Sequence, residues 1–83
     1  MKDTTITDTN MMDVYKKIGS NVKEIRKSKG VTQLKLALAM GFKAVGTVSL
    51  SELCIQGKHF NIEHLVKIAD ILEVDVRDFF KDI

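Results

Sequence analysis

Residues 25–41 read IRKSKGVTQLKLALAMG, and the fold turns on how this stretch divides. Lys27 and Lys29 precede Gly30: cations suit the negative C-terminal end of a helix, and glycine readily takes the left-handed conformation that closes one. Thr32 follows as an N-cap, with Val31 before it and Leu36 at the fourth helical position, the pattern of a hydrophobic staple. Leu34, Ala37 and Leu38 supply a short apolar face, and Gly41 offers the next cap after Met40. The stretch predicts the end of one helix, a tight turn, and a second helix of about two turns, too short to stand without tertiary support.

Upstream, Val14, Ile18, Val22 and Ile25 fall at spacings of four, four and three, one face of a helix. Helix 1 is expected over 14–29, with Asp13 as its N-cap. Residues 1–12 are polar and aperiodic, so the sequence divides into a flexible tail at 1–12 and one domain at 13–83. Downstream, residues 42–56 are the least regular. Val45, Val48 and Glu52 share one helical face while Leu50, Leu53 and Cys54 share another, so periodicity allows two registers for a third helix at about 44–54. Residues 56–59 read as a loop. Asn61 is the next N-cap, with Phe60 and Leu65 as a second staple, and Ile62, Leu65, Val66, Ala69 and Leu72 mark helix 4. Ile68 and Ile71 widen its apolar surface. Asp75 caps a final short helix carrying Val76, Phe79 and Phe80. Five helices without a strand signal predict a compact all-α bundle.

Composition agrees. The chain has 83 residues, 45% hydrophobic and 29% charged, which leaves room for one core, and it contains no proline and five glycines. The lone Cys54 excludes an intrachain disulfide and favours a reducing cytoplasm. No apolar run approaches the roughly 18 to 20 residues that cross a bilayer, and the Thr- and Asp-rich N-terminus does not read as a signal peptide. With so small a core, stability rests on economical packing or on pairing with a second copy.

The net charge of +2 looks uninformative until it is divided. Residues 1–13 hold one Lys and three acids, net −2; residues 14–60 hold nine Lys and Arg against two acids, net +7; residues 61–83 hold three against six, net −3. A basic half followed by an acidic one is what a domain with one face toward phosphates requires. The alternative is that these lysines form an ordinary solvated helix face.

The order of elements from Ile18 to Phe80 resembles the Cro and phage-repressor type of helix-turn-helix domain, the XRE family. The most specific part is Ile25 to Gln33, with Leu36, Ala37 and Gly41 at the family's intervals; Leu65, Ile68, Ala69, Leu72, Val74 and Phe79 match the helix that closes its core. The likeness covers about three quarters of the chain. It implies a lambda-repressor-like fold and a DNA-binding regulator, a repressor, with helix 3 in the major groove. Ala37 is small because helices 2 and 3 cross closely there, and Gly41 occupies a turn where positive φ costs glycine least. Arg26 corresponds to the arginine that bridges to a glutamate ending the recognition helix, and Glu52, the sole acid between Glu24 and Glu63, is its natural partner.

The chain departs from the family pattern between Gly41 and Leu65, where it is about three residues longer. One alignment keeps Glu52 opposite Arg26; the other makes Leu50 and Leu53 the core positions and leaves Cys54 in place of the glutamate. The first is preferred because it retains the ion pair. It implies that Thr32 and Gln33 meet phosphates at the start of helix 2, and that Lys43, Ala44, Val45, Thr47 and Ser49 face base edges. Lys58, with His59 and Asn61 beside it, is placed for backbone contact. Helix 3 offers no Arg, Asn or Gln, the side chains best suited to bidentate reading. Readout then rests on Lys43, on apolar contact from Ala44 or Val45 to thymine methyls, and on hydroxyls, or else on DNA shape.

A short helix reads few base pairs, so a homodimer on double-stranded DNA is expected, paired through the C-terminal helices with helix 4, Phe79 and Phe80 as its surface. The competing class is a protein-interaction module of the same fold, an antitoxin or adaptor. Cys54, His59 and His64 at C-x4-H-x4-H spacing are a poor match to zinc patterns, so no metal or cofactor is expected. Without a glycine-rich phosphate loop or a nucleophile-base set, neither is an enzyme.

Overall fold

A computed structural model describes all 83 residues as four α-helices and one short 3-10 helix. These are α1 (Asp8–Ser28), α2 (Gln33–Ala39), α3 (Gly46–Leu53), α4 (Ile62–Leu72) and the 3-10 helix Val76–Phe80. The chain is all-α as expected, but the fifth element is one tight 3-10 turn rather than an α-helix. Asp75 caps it, accepting from the Arg77 backbone N–H at 2.8 Å. Arg77 also clasps the Asp75 carboxylate at 2.7 Å, and this hydrogen bonding holds the Asp75 pKa down at about 2.

Helix 1 begins nearly two turns earlier than the apolar spacing predicts. Thr7 is its cap: its hydroxyl accepts from Asn10 N–H at 3.2 Å while the Asn10 side chain accepts from Thr7 N–H at 3.0 Å. Asp13 is therefore an interior helical residue, not the N-cap. Residues 8–13 are all exposed, so periodicity carried no trace of these turns. At 21 residues, α1 is about 32 Å long, in a body measuring 43 × 26 × 19 Å.

Both turns around α2 follow the chemistry read above. Thr32 Oγ1 accepts from Lys35 N–H at 3.1 Å. Gly41 sits at φ +89°, and the Phe42 N–H reaches back to Ala37 O at 2.9 Å, satisfying a carbonyl left open at the helix end. Helix 3 stops where Cys54 takes a left-handed conformation, φ 54°.

The core joins all five elements: Ile18 and Val22 of α1, Leu36 and Ala37 of α2, Val48 of α3, Phe60 before α4, Leu65, Ile68, Ala69 and Leu72 of α4, and Phe79. Phe79 is fully buried, so it belongs to the core and not to any dimer surface. Ile71 also packs on the core, whereas Ile62 and Val66 stand exposed on α4, as does Phe80 beyond it. Asn21, almost wholly buried, donates its Nδ2 to Phe79 O and Lys81 O, both at 2.9 Å, and ties the C-terminal turn to α1. No helix is long and apolar enough to cross a membrane.

The tightest approach is between α1 and α3. A Cβ on Gly19 would lie 2.5 Å from the Glu52 backbone oxygen and 2.7 Å from that of Ser51. Backbone atoms of a helix end have little room to give, so Gly19→Ala is expected to cost about 1–3 kcal/mol in urea unfolding.

The α4 cap has a pH dependence. Asn61 Oδ1 accepts from His64 N–H at 2.7 Å, and His64 Nδ1 accepts from Asn61 N–H at 3.2 Å, which requires the neutral ring. Burial pushes the His64 pKa below its ordinary 6.5. The unfolded chain therefore takes up a proton more readily, and the stability from this neutral ring is complete above about pH 6.5 and lost as pH falls through the folded value. His64→Gln keeps an acceptor that does not titrate, so its Tm should fall less than the wild-type Tm between about pH 7 and pH 5.

Candidate nucleic-acid interface

The interface is organised by one buried carboxylate. Glu52, in the last turn of α3, is 3% exposed, and Arg26, in the last turn of α1, is 6% exposed. Arg26 Nε donates to Glu52 Oε2 at 2.7 Å and NH2 to Oε1 at 3.0 Å, a two-pronged pair. The remaining guanidinium nitrogen, NH1, donates to Val31 O at 2.7 Å in the turn before α2. Gln33 Nε2 donates to Glu52 Oε1 at 2.9 Å. One carboxylate and one guanidinium thus bind α1, the turn, α2 and α3 into a fixed mutual orientation. This geometry corresponds to the alignment that keeps Glu52 opposite Arg26. Leu53, a core position in the other alignment, is 53% exposed.

Gln33, expected to meet phosphate at the start of helix 2, is not a free amide. It is half-buried and one of its amide hydrogens is committed to Glu52, which turns its oxygen away from that carboxylate. Its second hydrogen and its oxygen are left for other contacts. Thr32 is exposed and its hydroxyl caps α2.

Lys43, Ala44 and Val45 are exposed in the segment leading into α3, and Thr47 is half-buried on its first turn. Val45 provides no side-chain cap, so the first N–H groups of α3 have no side-chain partner beside Lys43. Ser49 spends its hydroxyl hydrogen on Gly46 O at 3.1 Å and keeps only acceptor capacity. Lys58 is exposed. Its neighbour His59 stacks face to face on Tyr15 with centroids 3.7 Å apart, which holds the loop after α3 against α1. Asn61 is occupied as the α4 cap.

Cys54, His59 and His64 go separate ways: Cys54 is buried at the α3 terminus, His59 lies on Tyr15, and His64 serves the α4 cap. No three His, Cys, Asp or Glu side chains come together in a way that holds a metal ion.

Sequence reasoning passed over Gly19, Asn21 and the Tyr15–His59 stack. Gly19 carried a signal, since a glycine inside a strongly periodic helix points to close packing. Asn21 and the stack carried none, because their partners lie 44 to 60 residues away.

The surface charge follows from this burial. From Ile25 to Ile62 the one acid is Glu52, and it is buried against Arg26. Exposed Lys27, Lys29, Lys35, Lys43 and Lys58 therefore meet no exposed carboxylate from within that stretch.

Cutting the network has unequal consequences. Arg26→Ala strands a buried carboxylate and is expected to cost about 3–5 kcal/mol in urea unfolding. Gln33→Ala should cost only about 1 kcal/mol, and Arg26→Met with Glu52→Leu should recover most of the Arg26→Ala loss.

A family profile described as Helix-turn-helix matches residues 22–79 of the chain, from the middle of α1 to the buried Phe79. No curated protein and no solved structure matches it.

Proposed function

Because the chain belongs to the helix-turn-helix family of the Cro and phage-repressor type, a family of DNA-binding regulators, we propose that it is a sequence-specific transcriptional repressor working in the cytoplasm. In this reading α3 enters the major groove and α2 grips the flanking phosphates. The observation that carries it is the acid-free exposed surface from Ile25 to Ile62, left by burying Glu52 against Arg26. From that stretch a polyanion meets five exposed lysines and no exposed carboxylate.

Roles follow from exposure. Lys43, at the open N-terminal end of α3, reads guanine, and Ala44 and Val45 meet thymine methyls. Thr47 adds a hydroxyl, and Ser49 offers an acceptor. Thr32 and the free half of the Gln33 amide meet phosphate, as does Lys58 beyond the helix. A homodimer doubles the few base pairs that an eight-residue helix reads. The exposed Ile62, Val66 and Phe80 form its C-terminal surface, since Phe79 is consumed by the core.

A second reading, a protein-interaction module with little DNA reading, is favoured by one observation: α3 contains no Arg, Asn or Gln. Binding to random duplex DNA over a salt series separates the two. The repressor reading expects a log–log slope of about −0.9 per phosphate contacted, with Lys58→Ala making it shallower by about that amount. Lys43→Ala should change which sites are selected from random DNA, with half-sites about 34 Å apart. No binding at about 50 mM salt would favour the interaction module.

A further inference from the structure

On the flank of α1 away from α3, a cleft of about 560 Å³ lies between that helix and the C-terminal segment. This falls within the roughly 300–1,000 Å³ of small-molecule sites. It is lined from α1 by Asn21, Ile25 and Lys29 and from the C-terminal segment by Val74, Asp78 and Lys81. The floor is defined chemically by Asn21, 6% exposed. Both amide hydrogens are committed to Phe79 O and Lys81 O, which fixes the orientation of the group. Its Oδ1 has no partner within the protein. It is not sealed off, because the one fully enclosed side-chain polar atom without a partner is Ser51 Oγ. Asn21, a lining residue, thus keeps a nearly buried acceptor of fixed direction that no protein group uses.

The rim is polar and of both signs. Glu24 and Asp78 are exposed, line the cleft, and take part in no salt bridge; the same holds for Lys29 and Lys81. Arg77 is already held by Asp75, and Ser28 by Ile25 O. Ile25 and Val74 provide the apolar lining. A partnerless acceptor and two free carboxylates lining one cleft select a cationic donor. Two free ammonium groups on the same rim select an anion, and the apolar lining selects a short alkyl group between.

We propose that this cleft binds a small zwitterion of the α-amino acid class, with its ammonium directed to Asn21 Oδ1, Glu24 and Asp78 and its carboxylate to Lys29 or Lys81. The site shares α1 with the DNA-binding half but none of the residues assigned to DNA, so it stands or falls separately from the repressor reading.

Amide chemical shifts of the full chain, titrated with L-leucine, butylamine and valerate, test it. L-leucine should give saturable shifts at residues 21–29 and 74–81 with a Kd below about 10 mM, with the amine and the carboxylate alone each about tenfold weaker. Asn21 also clasps the C-terminal turn, so the informative variant is the exposed pair Glu24→Gln and Asp78→Asn, which should raise the L-leucine Kd about tenfold while the spectrum stays that of the folded protein. Absence of saturable shifts, an unchanged Kd in that variant, or equally tight binding of either half-probe overturns the assignment.

Discussion

A guanidinium and a carboxylate removed from water at the junction of three helices are the constraint on which the remaining structure depends. Neither Arg26 nor Glu52 is tolerable alone where it lies, and together they leave few alternatives for the elements carrying them. Arg26 uses three nitrogens, two on Glu52 and one on the Val31 carbonyl, so α1 is tied to α3 and to the turn that begins α2. Gln33 adds the bond from α2 to α3. Helices of seven and eight residues have little stability of their own, so their mutual angle depends on this polar core and on Leu36, Ala37 and Val48 packed beside it.

The same pair shapes the electrostatics of the outside. Burying the sole acid of the segment removes the charge that would weaken a basic surface. A lysine-rich half is obtained without a strongly cationic chain. The acidic ends hold the total at +2, which restrains indiscriminate attraction to polyanions while the local field survives. Close contact elsewhere serves the same geometry. Gly19 allows the end of α3 to approach α1, and the Tyr15–His59 stack holds the loop bearing Lys58 against α1.

Much of the fold was legible along the chain because its signals are local. Thr32, Gly41, Asn61 and Asp75 act on backbone groups within four residues, and each does so in the structure. Helix 4 and its staple were legible for the same reason, with Phe60 and Leu65 both buried. The start of α1 was not, because its first turns are exposed and carry no apolar period. Phe79 and Phe80 illustrate the other failure: the local pattern left the two equivalent, and although the family likeness matched Phe79 to the core, only packing shows it fully buried while Phe80 stays exposed.

The sequence by itself determined the all-helical class, the capped turns around α2, and the partition of charge, since each follows from residue types at short separations. The register of α3 was narrowed by the pattern and decided only when Arg26 and Glu52, 26 residues apart, met in space. The commitment of the Gln33 amide to Glu52 and the fixing of Asn21 by Phe79 and Lys81 were likewise tertiary decisions. The physical reason is common to all three. A buried polar group is constrained by the need to find a partner, and its partner is set by how helices pack, which no short window of sequence contains.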